Sequence, residues 1–219
     1  GAIPVKGFRE PLELFEIVGH TAARTRWEVT AARGLTRFIN RNAESATLLE
    51  AMREAASGHG KLIGVVGEPG TGKSRLVHEL LNAPDASAWT VLKTASTSYT
   101  KNTPYLAFSN LIRTWCEIPD QASPDEANRR LLAKVATFGE ELNSALPAMR
   151  SLLDLPVDDE EWSKLEPAAR RQRILAAART VILRGAERRP LLLWFEDMQW
   201  TDAETRTLIE AIAKEVQNC

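Results

Sequence analysis

The stretch GVVGEPGTGKSRL, residues 64–76, contains the glycines, the lysine and the hydroxyl group that decide the fold of this chain. Residues 67–74 match the pattern GxxxxGK[ST]; an apolar run that predicts a buried strand, residues 61–66, precedes them, and an amphipathic helical pattern follows. Glycines let the backbone approach an anion closely, so that successive N–H groups and the helix N-terminus point at a phosphate. Lys73 would then reach the β- and γ-phosphates, and the Ser74 hydroxyl would bind Mg2+. A turn that only caps a helix requires neither side chain, so we interpret the loop as a phosphate site.

An acidic pair follows a second apolar run. In LLLWFEDMQW, residues 191–200, Glu196 and Asp197 come at the end of a predicted strand. A nucleoside triphosphate carries Mg2+, which prefers oxygen ligands, so one carboxylate would hold the metal and the other would orient or deprotonate the attacking water. We assign Glu196 to the metal, together with Ser74, and Asp197 to the water. The sequence leaves the order of the two carboxylates open.

The predicted site takes in the whole loop and the start of the following helix. Its cofactor-binding residues are Gly67, Glu68, Pro69, Gly70, Thr71, Gly72, Lys73, Ser74 and Arg75, and its catalytic residues are Glu196 and Asp197. The loop and the acidic pair predict a nucleoside triphosphate and Mg2+ as cofactors, and the chain lacks the Asn-Lys-x-Asp signature for guanine, which makes GTP the weaker candidate; that the triphosphate is ATP is what the family resemblance given below implies. Three residues after the acidic pair have structural interpretations: Thr201 and Glu204 have the spacing of a capping box, and Asp202 favours the helix dipole.

Apolar spacing elsewhere predicts an α/β fold built on a parallel sheet. Strand, helix and strand in succession, residues 61–95, are typical of the right-handed crossover unit of such a sheet. The run at residues 190–195 is apolar throughout, as expected of a parallel strand covered on both faces. Residues 103–185 are predicted to be mostly helical, with helix starts at Thr103 and Ser123, each followed by proline. We therefore predict a P-loop NTPase whose parallel sheet is flanked by helices and interrupted by a long helical insertion.

Composition argues against several classes of function. The 28 basic and 29 acidic residues nearly balance, so no global charge favours nucleic acid or a membrane surface as a partner. No apolar run approaches the roughly 18 residues of a membrane helix. Cys116 and Cys219 lie far apart without His or Cys neighbours at metal-ligand spacing, which indicates neither a disulfide framework nor a zinc site. We expect a cytoplasmic protein.

Several segments together resemble one known family. TRFINRNAE, the phosphate loop, SYTKNTPYLAF, RRQR and PLLLWFEDMQWTDAET, in this order, look like the ATPase module attached to bacterial class III adenylate/guanylate cyclases. That module belongs to the STAND branch of AAA-like P-loop NTPases, and the resemblance covers roughly residues 35–217. VKGFREPLELFEIVG, residues 5–19, also resembles the last strand of a class III cyclase domain.

The resemblance implies a division of the chain into three parts. Residues 1–20 would be the C-terminal tail of a cyclase-like domain, residues 21–34 a linker, and residues 35–219 a P-loop ATPase domain. A cyclase's metal-binding aspartates and purine-reading residues would lie upstream, so no cyclase activity is expected here. The implied partners are the flanking cyclase and the C-terminal regulatory domains of a longer parent protein.

The resemblance also adds residues to the site and raises one expectation about completeness. A segment before the first helix lines the adenine pocket in the family, which here implicates Phe38 and Ile39; Asn40 replaces a glycine, and asparagine tolerates the left-handed backbone such a turn needs. In the family a further strand, bearing a polar sensor, inserts between the phosphate-loop strand and the acidic-pair strand. The sequence ends at Cys219, before that strand, so we expect a C-terminally incomplete domain in which hydrolysis is less secure than binding.

Three functions compete at this point. The leading hypothesis is a Mg-ATP-binding regulatory NTPase with slow hydrolysis, in which contacts to the γ-phosphate bias the arrangement of flanking domains. Fast turnover would need an arginine from another subunit or from a missing segment, which makes a homo-oligomer one candidate assembly. The alternatives are a small-molecule kinase that uses the same loop, and a nucleotide-binding interaction module without catalysis.

Overall fold

The computed structural model describes residues 2–3, 12–13, 31, 34–99 and 101–216 of the 219-residue chain. The chain divides into two compact units, Gly1–Phe38 and Ile39–Cys219. In the first unit, β1 (Ala2–Ile3) pairs in antiparallel fashion with β2 (Leu12–Glu13). Most of the cyclase-like segment and most of the predicted linker lie outside the described residues, so both interpretations remain predictions.

The second unit contains the elements of the predicted ATPase domain. In chain order these are α1 (Asn42–Ala56), α2 (Lys73–Leu81), β3 (Thr90–Ala95), α3 (Leu106–Trp115), α4 (Pro124–Ala136), α5 (Leu146–Leu152), α6 (Glu160–Ser163), α7 (Pro167–Arg188), β4 (Leu191–Glu196) and α8 (Ala203–Val216). Short 3-10 helices lie at Pro84–Ala88, Asn143–Ala145 and Met198–Trp200. No helix among the described residues is both long enough and apolar enough to cross a membrane.

β3 and β4 form a parallel two-stranded sheet. The register is unbroken from Thr90 opposite Leu191 to Ala95 opposite Glu196. The Ser96 N–H extends the ladder by donating to the Glu196 carbonyl at 3.1 Å. Parallel strands need a crossover connection, and here the crossover is the helical segment α3 to α7. The predicted α/β class with a long helical insertion is therefore confirmed.

The main hydrophobic core lies between this sheet and the inserted helices. α3 packs on β3, α7 contacts β4, and α5 contacts both α3 and α7. Leu131 of α4 and Leu142 are fully buried in this core, and α8 contributes the fully buried Leu208. The helix start predicted at Ser123 is confirmed. Ser123 caps α4 by accepting a hydrogen bond from the Glu126 N–H at 3.2 Å.

A smaller apolar contact joins the two helices that flank the phosphate loop. α1 contacts α2, and each helix buries two side chains: Leu48 and Met52 in α1, Leu76 and Leu80 in α2. These four residues do not belong to the main core cluster. The loop is therefore positioned by helices whose own packing is slight.

The strand predicted over residues 61–66 is not formed among the described residues. Leu62 is 60% exposed and Val66 is 95% exposed, and neither sheet of the described chain includes this segment. A strand needs a neighbour to accept and donate its backbone hydrogen bonds, and β3 pairs with β4 instead. Of the strand–helix–strand unit predicted over residues 61–95, the helix α2 and the second strand β3 are formed, and the first strand is not.

The helix start predicted at Thr103 is also wrong. α3 begins at Leu106, because Tyr105 takes a left-handed conformation with φ of 59°. The Tyr105 N–H donates to Asp202 Oδ1 at 3.1 Å, a contact between residues far apart in the sequence. This tertiary hydrogen bond holds Tyr105 outside the helix, so the helix does not begin at the Thr103–Pro104 pair that the sequence favoured.

Candidate functional site

The predicted phosphate loop lies at the N-terminus of α2 and is open to solvent. Gly70 and Gly72 have φ angles of 81° and 88°, and Gly72 is the residue that immediately precedes the helix. Side chains with a Cβ rarely adopt such angles, so both glycines are required by the turn itself. The turn places the N-terminus of α2, with the positive end of its helix dipole, beside the loop.

Lys73 folds back over the loop that precedes it. Its Nζ donates to the carbonyl oxygens of Gly67 and Glu68, each at 2.9 Å. The Thr71 hydroxyl closes the same loop by donating to the Glu68 carbonyl at 2.8 Å. The ammonium group is thus held on the rim of the loop by two neutral acceptors. Neither acceptor cancels its positive charge, so Lys73 can bind an anion seated there.

The first acidic residue lies against the hydroxyl that follows the lysine. The Ser74 Oγ donates a short hydrogen bond to Glu196 Oε1 at the end of β4. A hydroxyl and a carboxylate in contact form an oxygen donor set of the kind Mg2+ prefers, with places left for water and phosphate oxygens. These two residues therefore fit a magnesium ion that is shared with a nucleotide. Among the described residues, no group of three or more His, Cys, Asp or Glu side chains could hold a metal ion.

The second acidic residue occupies a different position. Asp197 has a left-handed backbone with φ of 58°, and its exposed carboxylate accepts a hydrogen bond from Gln199 Nε2 at 3.1 Å. Because Glu196 contacts Ser74 and Asp197 does not, the geometry favours Glu196 as the metal residue. Asp197 is solvent-facing next to the site, where a water molecule can reach it.

The other predicted site residues are distributed unevenly. Arg75 forms an ion pair with Glu79 at 2.5 Å on α2, so its guanidinium is engaged along the helix. Ile39 is 62% exposed, whereas Phe38 is half-buried and belongs to the first compact unit. Asn40 has a φ of 58°, which confirms that an asparagine supports the left-handed turn here.

Arg41 contacts the loop although it was not among the predicted site residues. Its Nη2 donates to the Thr71 carbonyl at 3.1 Å, and its Nη1 pairs with Glu44 at 2.6 Å. The hydrogen bond from Arg41 lowers the pKa of Glu44, which keeps this carboxylate charged. The sequence signal for Arg41 was its place as the last residue of the segment 38–41, which was implicated by resemblance alone.

A polar cluster connects the start of α8 to the residue before α3. Asp202 caps α8, because its Oδ1 accepts from the Thr205 N–H at 2.8 Å as well as from the Tyr105 N–H. The predicted capping box of Thr201 and Glu204 is therefore wrong: the cap is one residue later. Thr201 instead shares a buried hydroxyl hydrogen bond of 3.0 Å with Ser96.

Glu204 in turn binds the Tyr105 side chain. The Tyr105 hydroxyl donates to Glu204 Oε2 at 3.2 Å, and Arg171 pairs with Glu204 Oε1 at 3.3 Å. Burial, together with the nearby Glu204 carboxylate, raises the pKa of Tyr105 to about 12, so the phenol stays protonated and continues to donate. The cluster thus fixes the loop that follows β3 to the helix that follows the acidic pair.

Comparison with known families and proteins bears on this geometry directly. The model of one family, described as AAA ATPase domain, matches residues 37–218. That range includes the glycine loop, the Ser74–Glu196 contact and the inserted helices. No curated protein and no solved structure matches the chain. On the extent of the family match, the chain belongs to the AAA ATPase domain family of nucleotide-binding P-loop proteins.

Proposed function

We propose that this chain is a Mg-ATP-binding regulatory NTPase module, with slow hydrolysis at the Ser74–Glu196 site. The observation that carries the proposal is the contact of the Ser74 hydroxyl with Glu196, beside a glycine loop whose lysine lies on the loop rim. A helix-capping turn needs neither a metal-binding hydroxyl nor a carboxylate from a distant strand. A triphosphate with its magnesium ion needs both.

Each residue of the site has a proposed role. The backbone N–H groups of Gly67, Gly70, Gly72 and the following turn would bind phosphate oxygens, and Lys73 would neutralise charge on the β- and γ-phosphates. Ser74 and Glu196 would hold the Mg2+ ion, because their oxygens lie in contact beside the loop. Bound Mg-ATP would supply the phosphoryl group, with the metal balancing the charge that develops on it.

Asp197 is the proposed residue for the attacking water. Its carboxylate lies next in the chain to Glu196 but faces solvent, where it can accept a proton or a hydrogen bond from water. Arg41 would hold the loop in shape through the Thr71 carbonyl. The remaining loop residues, Glu68 and Pro69, contribute backbone rather than side chains.

The regulatory role rests on the resemblance to cyclase-associated STAND modules. That resemblance supports a parent protein in which the state of the γ-phosphate biases flanking domains, because a ligand shifts an equilibrium only by its difference in affinity between two states. ATP in preference to GTP follows from the same resemblance and from the absence of a guanine signature in the sequence. The cyclase tail and the partner domains belong to this part of the proposal.

One observation favours a second candidate, nucleotide binding without turnover. The segment that leads into the loop, residues 61–66, is largely exposed and pairs with no strand among the described residues. A phosphate loop whose neighbouring helices pack only slightly on each other, and whose preceding segment pairs with no described strand, can bind a nucleotide yet hold it too loosely for in-line attack. Positioning errors of about 1 Å are enough to reduce catalysis about a hundredfold.

The deciding experiment is calorimetric titration of the 219-residue chain with ATP, ADP and GTP in the presence of Mg2+. We expect ATP to bind in preference to GTP, and Lys73→Ala to weaken ATP binding by at least about tenfold, since a charge-assisted contact to phosphate is removed. Lys164→Ala is the matched control: this lysine pairs with Glu160 on α6 and contributes nothing to the loop. Equal losses in both variants would contradict the site.

Turnover is then scored separately from binding. Glu196→Gln should reduce the Mg2+ dependence of ATP affinity. Asp197→Asn should leave ATP affinity unchanged and lower the rate at which ADP is formed. ATP binding with no turnover in the wild-type chain would select the second candidate. A rate that depends on an added hydroxyl acceptor would instead indicate a kinase.

A further inference from the structure

A pocket of about 190 Å3 opens at the opposite end of the sheet from the phosphate loop. It lies beside Thr90 and Leu191, the first residues of β3 and β4. Because β4 runs through six residues from Leu191 to Glu196, the pocket is roughly 17 Å from the acidic pair. It is therefore separate from the nucleotide site.

Three cationic side chains line this pocket. They are Lys134 near the end of α4 and Arg188 and Arg189 at the end of α7. The Lys134 Nζ lies 5.1 Å from the centre of the Trp115 ring, and the Arg188 guanidinium lies 3.9 Å from the centre of the Phe138 ring. Both rings are buried, so the two cations lie against a buried aromatic surface.

Backbone carbonyls fix the two arginines further. Arg188 Nη1 donates to the Thr137 carbonyl at the end of α4. Arg189 donates through Nε to the Ala88 carbonyl at 2.7 Å and through Nη2 to the Ser87 carbonyl at 2.5 Å. A guanidinium has five N–H donors, so each arginine keeps donors for a ligand after these contacts. The backbone contacts therefore fix the two guanidinium groups in place without using all of their hydrogen-bond donors.

Within the described part of the chain, no carboxylate forms an ion pair with the cations of this pocket. Among the described residues, none of Lys134, Arg188 and Arg189 forms an ion pair within 4.0 Å of an acid, whereas the nearby Glu141 and Glu187 both pair with Arg184. The C-terminal ends of α4 and α7 each contribute about half a negative charge. Three cations against two such ends leave a surplus of about two positive charges.

We propose that this pocket binds a small oxyanion, a carboxylate or a phosphate with only a short organic part. Fixed guanidinium donors are suited to the planar fork of a carboxylate and to phosphate oxygens. The volume is of the same order as the roughly 150 Å3 of a cavity that accepts benzene, so a ligand of that size class fits in the pocket. Nothing in the proposed ATPase function requires this site, so the two can be tested independently.

The test is titration of the Lys73→Ala chain, which removes the main charge of the phosphate loop, with inorganic phosphate and with benzoate at constant ionic strength. We expect at least one of the two anions to bind, and Lys134→Gln or Arg189→Gln to weaken that binding by about tenfold. Arg184→Gln is the matched control, because Arg184 lies on the same helix and is already paired with Glu141 and Glu187. It should bind as tightly as its parent.

The arms of the titration distinguish the sources of the oxyanion. Binding of phosphate alone assigns the pocket to phosphoryl groups, and binding of benzoate alone assigns it to carboxylates. Binding of neither anion, or equal losses in Arg184→Gln and Arg189→Gln, would overturn the proposal. ATP affinity measured with Lys73 intact should be the same in Arg189→Gln as in the unmodified chain, which keeps this result separate from the nucleotide site.

Discussion

The two sides of this ATPase domain differ in how their apolar residues are used. On the β3–β4 side, the inserted helices bury a continuous core in which Leu131 and Leu142 are fully inaccessible to water. On the phosphate-loop side, four of the six residues in the segment 61–66 are also apolar, yet the Leu62 side chain is 60% exposed. A helix satisfies its own backbone hydrogen bonds and can bury its apolar face against neighbouring helices, whereas a strand needs a partner strand to pair with.

The largest effect should come from removing the same atoms on the two sides. Leu131→Ala is expected to lower the free energy of unfolding by about 2–5 kcal/mol, because it leaves a cavity in the core. Leu62→Ala should change it by less than about 0.5 kcal/mol, because the side chain is already solvated. Equilibrium urea unfolding of both variants measures the contrast. A large loss in Leu62→Ala would mean that residues 61–66 are packed in solution.

The next largest effect should come from the connection between the two strand ends. Asp202→Ala removes the cap of α8 and the acceptor of the Tyr105 N–H together, and should destabilise the domain by about 1–2 kcal/mol. Ser123→Ala removes only a cap, on α4, and is expected to cost about 1 kcal/mol or less. Thermal unfolding compares the two. An equal or smaller loss for Asp202→Ala would show that the Tyr105 contact adds nothing.

These elements also show how much the sequence could predict. The loop, α2, β3, β4 and the Ser123 cap were predictable, because each depends on residues close together in the chain. Tyr105 and Asp202 were not, since they are 97 positions apart and their hydrogen bond exists only after β3 and β4 pair. The contact of Ser74 with Glu196, 122 positions apart, was predictable only because a metal-bound phosphate needs both groups.

A smaller effect is expected from pH. The pKa of Tyr105 is raised to about 12 in the folded chain, against about 10 for an unperturbed tyrosine. Below pH 10 the phenol is protonated in both states, so its contribution to stability is complete; between pH 10 and 12 the unfolded chain ionises first and that contribution falls. The difference in unfolding free energy between wild type and Tyr105→Phe should therefore shrink over this interval. A difference that stays constant from pH 9 to 12 would contradict the raised pKa.

The smallest effect is a stabilisation on the packed side. Gly185 lies within α7, where glycine costs about 0.5–1 kcal/mol relative to alanine. An added Cβ would meet Leu191 Cδ2 at 3.7 Å, an ordinary van der Waals distance, so Gly185→Ala should raise the free energy of unfolding by that amount. Gly72→Ala is the opposing case, because its φ of 88° disfavours any Cβ. The exposed loop can rearrange to relieve this strain, so we expect weaker ATP binding with little change in the urea midpoint. Gly185 is thus dispensable in a packed helix, whereas Gly72 is required at the phosphate loop. If Gly72→Ala lowers the urea midpoint by more than Gly185→Ala raises it, the loop also contributes to the stability of the core.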